Sequence, residues 1–207
     1  MREEIFLETD EVQEEIYAGF GPRLAAALLD GLLLLPVYII SRYFGTYGVT
    51  YQLSLILPYI LLIIWLEVFM VKKYGGSPGK LMVNIKIIKL NGSNLGWREA
   101  MIRFSVSFFL LIFNSALTAL ALMAADADHY ESLKWKEQHI YLTTLYPIHF
   151  LTMKISNNIW TYGELIFLLT NKKKRAIHDF MAGTVVVKTA HLTTLRERLK
   201  ETSGVTV

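Results

Sequence analysis

Apolar residues are concentrated in four segments of the chain, separated by polar connections. The segments cover residues 22–40, 53–71, 102–125 and 155–170. The first three are close to the roughly 20 residues that a helix needs to cross the hydrocarbon core of a bilayer, and the fourth is shorter. The pattern predicts an all-α membrane protein, a four-span helical bundle.

Two short runs in the connections have the pattern of β-strands. The first run is 81–88, after the turn residues of 75–79, and within it Val83, Ile85 and Ile87 alternate with the polar Asn84 and Lys86. A second run, Gly183–Lys188, is rich in valine. Alternation and β-branched residues favour half-buried strands. We expect the two runs to form a small cytoplasmic β-pair under the bundle.

Lysine and arginine are distributed unevenly among the connections. The three connections and the final tail hold one, seven, three and eight of these residues, in chain order, if Arg103 at the start of the third segment is counted with the second connection. Cytoplasmic connections carry the excess of positive charge in membrane proteins. We therefore expect both termini to be cytoplasmic, with residues 126–154 forming an outer loop.

Composition agrees with the membrane interpretation and suggests three regions. Hydrophobic residues make up 53% of the 207 positions, and the mean hydropathy is +0.37. We predict an acidic cytoplasmic N-terminal arm over 1–16, a transmembrane domain over 17–188 and a cytoplasmic tail over 189–207. Cysteine is absent, which excludes disulfides and thiolate metal sites.

Three carboxylates interrupt the apolar segments: Asp30, Glu67 and Glu164. A charged group in hydrocarbon costs at least about 2.5–3.5 kcal/mol on insertion scales, so such residues are seldom idle. All three are predicted at similar depth in the cytoplasmic half of the membrane, where they could share protons or hold a cation. Arg23 and Arg103 lie at the same edge as counter-charges.

Each carboxylate also has a purely structural interpretation. Asp30 can be a buried partner of Arg23, which lies two helical turns before it. Glu67 can extend to the interface, and Glu164 can serve helix packing. Asp179 can cap a short C-terminal turn or pair with the basic run 172–175.

Three separated segments resemble motifs of the RDD family of prokaryotic membrane proteins. The segments are 17–30, the turn 75–80 with the strand after it, and 174–187. The family is named for one arginine and two aspartates, which fall on Arg23, Asp30 and Asp179. The resemblance implies a multi-pass protein of the prokaryotic plasma membrane. The outer insertion 126–154 and a fourth span depart from shorter members. Sodium/proton antiport has been ascribed to some members.

Two functions fit these observations. The first is a proton-coupled monovalent-cation carrier with Asp30, Glu67 and Glu164 as its ion- and proton-binding site. The alternative is a non-catalytic membrane partner that binds and regulates another membrane protein. The four-span size is small for a carrier without internal repeats.

Other chemistry finds little support in the sequence. No Ser/His/Asp constellation indicates an enzyme, and Gly75–Lys80 lacks the spacing of a phosphate loop, so we expect no cofactor. The ten-residue spacing of His129, His139 and His149 matches no helical face, so we expect no metal site. The expected partners are the lipid bilayer, anionic lipid on the cytoplasmic side, and a second copy or another membrane protein; we expect no nucleic acid.

Overall fold

The computed structural model describes residues 16–45 and 47–203. The predicted acidic arm, except its last residue, lies outside these residues. The helices are α1 (Phe20–Gly45), α2 (Val49–Ser54), α3 (Ile56–Ile64), a π-helical turn (Trp65–Met70), α4 (Val71–Tyr74), α5 (Pro78–Met82), α6 (Trp97–Ala124), α7 (Ala127–Ser132), α8 (Trp135–Leu145), α9 (Pro147–Thr170), α10 (Ile177–Ala182), a 3₁₀ turn (Thr189–His191) and α11 (Leu192–Ser203). The strands are β1 (Ile85–Lys89) and β2 (Thr184–Lys188).

Three helical stretches are long and apolar enough to cross a membrane. They are Phe20–Phe44, Val49–Met82 and Trp97–Ala124. Only 6%, 11% and 11% of their most apolar windows are buried within the protein, so their apolar side chains face outward, as lipid contact requires. The first three predicted spans are thereby found as apolar helices. Helix α9 has 24 residues but is not among these three, so a fourth span stays a prediction.

The second of these stretches is not one regular α-helix. It is composed of α2 to α5 and the π-helical turn, in which Glu67 lies in the first turn. A π-helical turn widens the helix by one residue and is often found at functional sites.

The two predicted strands pair with each other. Strands β1 and β2 are antiparallel, with Ile85 opposite Lys188 and Lys89 opposite Thr184. Tyr17 forms an isolated bridge to Val187, so the start of the described chain lies along the free edge of β2. A hydrophobic cluster supports the pair and consists of Ile16, Tyr17, Ile88, Val185, Val187 and Leu195.

The segment predicted as an outer loop is largely helical. Helices α7 and α8 occupy most of residues 127–145, and α9 begins at Pro147, eight residues before the predicted fourth span. The carboxylate of Asp126 caps α7 by accepting from the backbone N–H of His129, at 2.9 Å. A cluster of Ala121, Leu122, Tyr130 and Leu142 buries the apolar side of these helices. The apolar pattern is interrupted in this segment because the chain forms short capped helices here.

The chain divides into two compact units. The first comprises the described parts of Met1–Gly31 and Tyr162–Val207 together with Trp65–Ser105, and the second comprises Leu32–Ile64 and Val106–Thr161. The first unit contains the β-pair and all three name-giving residues of the motif. The second contains α7 and α8.

Candidate functional site

Asp179 is the centre of a buried charged cluster in the first unit. Its side chain is completely buried at the start of α10, where one carboxylate oxygen accepts from the backbone N–H of Ala176 at 3.0 Å. Arg23 donates to the same oxygen at 2.8 Å. Arg103 donates to the other oxygen and to the hydroxyl of Thr184. Two cations on different helices therefore bind one carboxylate.

The remaining donors of these arginines bind backbone carbonyls nearby. Arg23 donates to the carbonyl of Ala18 at 3.0 Å and to that of Lys174 at 2.6 Å. Arg23 thus connects three chain segments: the approach to α1, the turn before α10, and α10 itself. Because guanidinium groups present several donors in a fixed plane, arginine suits such a position and lysine does not.

A third arginine lies beside the cluster without binding the carboxylate. Arg175 donates to the carbonyls of Thr184 and Asp179, at 3.1 and 3.0 Å. Its guanidinium lies 4.1 Å from the ring centroid of Phe180, a cation–π distance. Arg175 therefore holds α10 against β2.

The arginines determine the charge of Asp179. Burial alone would raise the pKa of this carboxyl, but the charges of Arg103 and Arg23, with a smaller contribution from His178, hold its pKa well below the ordinary range. Burial lowers the pKa of Arg175, opposed by the charge of Asp179. Asp179 therefore stays ionised at neutral pH, as a fixed counter-charge to the arginines.

Asp30 binds a different part of the chain. Its carboxylate accepts from the hydroxyl of Ser77 at 2.5 Å and from the backbone N–H of Gly79 at 2.7 Å. These two residues form the first turn of α5. Both oxygens of Asp30 are thus used to fix the short helix that leads into β1.

Glycine at position 79 is required by this close approach. A Cβ on Gly79 would lie 2.9 Å from the Asp30 carboxylate and would overlap the carbonyl oxygen of Ala26. Ala26 and Asp30 are one helical turn apart on α1, so α5 packs directly on that face. Gly79 of the turn motif is therefore needed for the close packing of α5 on α1.

Glu164 and His178 form a separate pair. One carboxylate oxygen of Glu164 lies 2.6 Å from Nδ1 of His178, and the other accepts from the backbone N–H of His178 at 3.0 Å. Nε2 of His178 lies 3.8 Å from the carboxylate of Asp179. The imidazole therefore lies between the carboxylate of α9 and the arginine cluster.

The structure brings some of the predicted site residues together and gives others separate partners. Arg23 and Asp179 meet, whereas Asp30 binds Ser77 and Gly79. Among residues 16–45 and 47–203, no group of three His, Asp or Glu side chains could hold a metal ion. The roles of Ser77, Thr184 and His178 were not identified from the sequence, and Arg175 was considered only as part of a basic run. Ser77 and His178 lie inside the motif segments, but their side-chain partners Asp30 and Glu164 lie 47 and 14 positions away, which no local pattern reports.

The apolar helices of spanning length are those of an integral membrane protein. The chain belongs to the RDD family, whose sequence model matches residues 17–183. Comparison with curated proteins and with solved structures gave no match. The match covers the first two motifs and residues 174–183 of the third, and Arg23, Asp30 and Asp179 all lie within it.

Proposed function

We propose that this protein is a non-enzymatic carrier of the plasma membrane that exchanges protons for a monovalent cation, with Glu164 and His178 as its proton-binding pair. The observation that carries the proposal is the 2.6 Å contact between Glu164 and Nδ1 of His178. Histidine is the side chain whose charge ordinarily changes between pH 5 and 8. A proton on this imidazole neutralises the carboxylate, and its loss leaves an anion that can bind a cation.

The surroundings of the pair favour this assignment over the other carboxylates. Asp179 is fixed as an anion by two arginines, so it cannot release and take up protons near neutral pH. Asp30 has both oxygens bound to α5. The side chains of Glu164 and His178 are 15% and 27% exposed, so the protein itself does not close either of them off. Asp30 and Glu67, the other carboxylates of the site predicted from the sequence, are tested beside Glu164.

The proposal includes a topology. Helix α9 supplies the fourth span, and both termini lie in the cytoplasm, as the alternation of basic residues predicts. Its 24 residues are about 36 Å long at 1.5 Å per residue, enough for a bilayer core of roughly 30 Å. Glu164 lies near the C-terminal end of α9, so in the proposed topology the pair lies toward the cytoplasmic side.

Proton movement in sealed vesicles tests the carrier. Purified protein is reconstituted with a pH-sensitive dye inside, and gradients of sodium, lithium or potassium are imposed between pH 6 and 9. We expect cation-driven proton movement above that of empty vesicles. Glu164→Gln and His178→Gln should each abolish it, while circular dichroism and gel filtration report a folded protein.

Glu67→Gln is the matched control, because it removes a carboxylate from another predicted span. Exchange at the wild-type rate in Glu67→Gln, with none in Glu164→Gln, would support the assignment. If exchange is lost in Glu67→Gln or Asp30→Asn but not in Glu164→Gln, the site is assigned to those residues instead. No exchange by wild type would exclude the carrier and leave the regulatory partner as the proposal.

A further inference from the structure

The second unit contains a cavity that the proposed carrier site does not use. Its volume is about 650 Å³, within the usual range of ligand pockets. Helices α1, α2, α6, α7, α8 and α9 all contribute to its lining. The polar part of the lining includes Arg42, Gln52, Tyr130 and Lys154, and the apolar part includes Leu142 and Phe150.

Three of these lining residues have a buried polar atom with no hydrogen-bond partner. The atoms are Nε of Arg42, Oε1 of Gln52 and the hydroxyl of Tyr130. Buried polar atoms in proteins are nearly always satisfied by protein, ordered water or ligand. Three unsatisfied atoms around one cavity therefore indicate that a polar molecule completes this site.

The chemistry of the lining indicates what that molecule carries. Arg42 and Lys154 are cations, and none of the residues that line the cavity is acidic. Burial raises the pKa of Tyr130, against a smaller opposing effect of Arg42, so the phenol stays protonated and can donate. These donors suit a phosphate or another oxyanion. The carbonyl oxygen of Gln52 needs a donor, which a hydroxyl next to the anion would supply.

The apolar part of the cavity favours a lipid over a small soluble anion. Leu142, Phe150 and Leu151 lie in the same lining as the cations. A soluble phosphate would leave these side chains without apolar contact, whereas an acyl chain would cover them. Nearby, Arg42 also donates to the backbone carbonyl of Trp135 at 3.0 Å, which fixes part of its guanidinium beside the cavity.

We propose that this cavity binds an anionic glycerolipid, with a phosphate at Arg42, Tyr130 and Lys154, a headgroup hydroxyl at Gln52, and an acyl chain on Leu142 and Phe150. The chemistry that is recognised is a phosphate with a neighbouring hydroxyl, which phosphatidylglycerol and free glycerol phosphate share. This site is independent of Glu164 and His178, which lie in the other unit.

The test uses the full chain, delipidated in detergent, with thermal unfolding followed by tryptophan fluorescence. Phosphatidylglycerol, phosphatidylcholine with the same chains, and glycerol phosphate are titrated separately. We expect phosphatidylglycerol to raise Tm in a saturable way and phosphatidylcholine to do so much less. Saturation by glycerol phosphate at the same concentration would overturn the lipid as occupant while supporting the phosphate chemistry.

Two variants distinguish a ligand site from a structural one. Lys154→Gln and Tyr130→Phe should each weaken the phosphatidylglycerol effect about tenfold, as expected for the loss of a hydrogen bond to a charged group. Tyr130→Phe should leave Tm without lipid unchanged or higher, because it removes a hydroxyl that has no partner. Lys136→Gln, a lysine of α8 outside the lining, is the matched control and should bind like wild type. Equal lipid binding by wild type, Lys154→Gln and Tyr130→Phe would overturn the proposal.

Discussion

Arg23 and Asp179 lie 156 positions apart in sequence, yet Nη1 of Arg23 lies 2.8 Å from Oδ2 of Asp179. The pair joins the start of α1 to the short helix α10, which precedes β2. Because the carboxylate is completely buried, its charge depends on the arginines for compensation. Two of the three residues for which the family is named therefore form one structural unit, and the third, Asp30, fixes α5 against the same helix.

The coupling between these residues can be measured. Asp179→Asn leaves two buried arginines without their counter-charge, and we expect it to lower the free energy of unfolding by about 3–5 kcal/mol. Arg23→Gln should cost less, because Arg103 still binds the carboxylate. The double variant should lose less than the sum of the two. Reversible unfolding in mixed detergent micelles, followed by circular dichroism, gives the free energy of unfolding of each of the three variants. Strict additivity of the losses would contradict an interaction between Arg23 and Asp179.

Asp179 should also make stability depend on pH in a defined direction. Its pKa in the folded protein lies below the ordinary value of about 3.9. The stabilisation by its ionised form is therefore fully present above about pH 4 to 5 and is lost as the pH falls toward the folded-state pKa. The difference in stability between wild type and Asp179→Asn should be constant from pH 5 to 8 and shrink below about pH 4. A difference that shrinks between pH 6 and 8 would mean that another group carries the effect.

Gly79 and Gly31 provide a matched pair for testing the packing of α5 on α1. Gly79→Ala should be strongly destabilising, because the new methyl overlaps the Ala26 carbonyl and touches Asp30. Gly31→Ala places a methyl where nothing lies within 4 Å, and in the interior of α1 it should be neutral or stabilise by about 0.5–1 kcal/mol. Expression yield and Tm of both variants in detergent check this. A harmless Gly79→Ala would refute the close approach.

The register of the β-pair can be tested directly, because the chain has no cysteine. Lys86 faces Val187 across the ladder. Lys86→Cys with Val187→Cys should form a disulfide under mild oxidation, since opposed strand residues have suitable Cα separations. The control combines Lys86→Cys with Val186→Cys, which points to the other face, and should not crosslink. Equal crosslinking in both would argue against this register.

The parts of the fold that were predicted from the sequence are those indicated by patterns among neighbouring residues. Apolar runs marked three spanning helices, and alternation with β-branched residues marked β1 and β2, because both signals lie within a few neighbouring residues. The helices of residues 127–145 were predicted only as part of an outer loop, because they lack a long apolar run; their evidence is in caps such as Asp126. The start of α9 was misplaced because its first turns mix apolar residues with polar ones such as His149 and Lys154.

The candidate site depended on contacts that no local pattern reports. Arg23 was expected near Asp30 from helical spacing, but its guanidinium reaches a carboxylate on a distant segment. Glu164 was identified from its unusual place in an apolar run, yet its partner His178 follows 14 positions later on another helix. A single sequence shows which residues are costly to bury, and only the folded chain shows which residues compensate them.

The four-span topology with both ends in the cytoplasm remains to be tested by location reporters. Fusions of a periplasm-active enzyme at Tyr47 and Glu131 should be active, and fusions after Lys89 and Lys200 should be inactive, with the reverse for a cytoplasm-active reporter. The connection rich in Lys and Arg before α6 is the physical reason, since anionic lipid and the membrane potential retain positive charge inside. Expression of every fusion is checked by immunoblot.

The fusion after Lys200 is decisive for the fourth span, because α9 lies between it and Glu131. Opposite locations of these two sites require α9 to cross the membrane, and the same location excludes that crossing. A variant in which Ile155 and Ile159, near the middle of α9, are changed to lysine provides the control: Lys/Arg at the centre of a span cost about 2.5–3.5 kcal/mol each, so the change should trap the tail outside. If the tail stays inside in that variant while Glu131 is also inside, α9 lies along the membrane and the proposed cytoplasmic access to Glu164 is wrong.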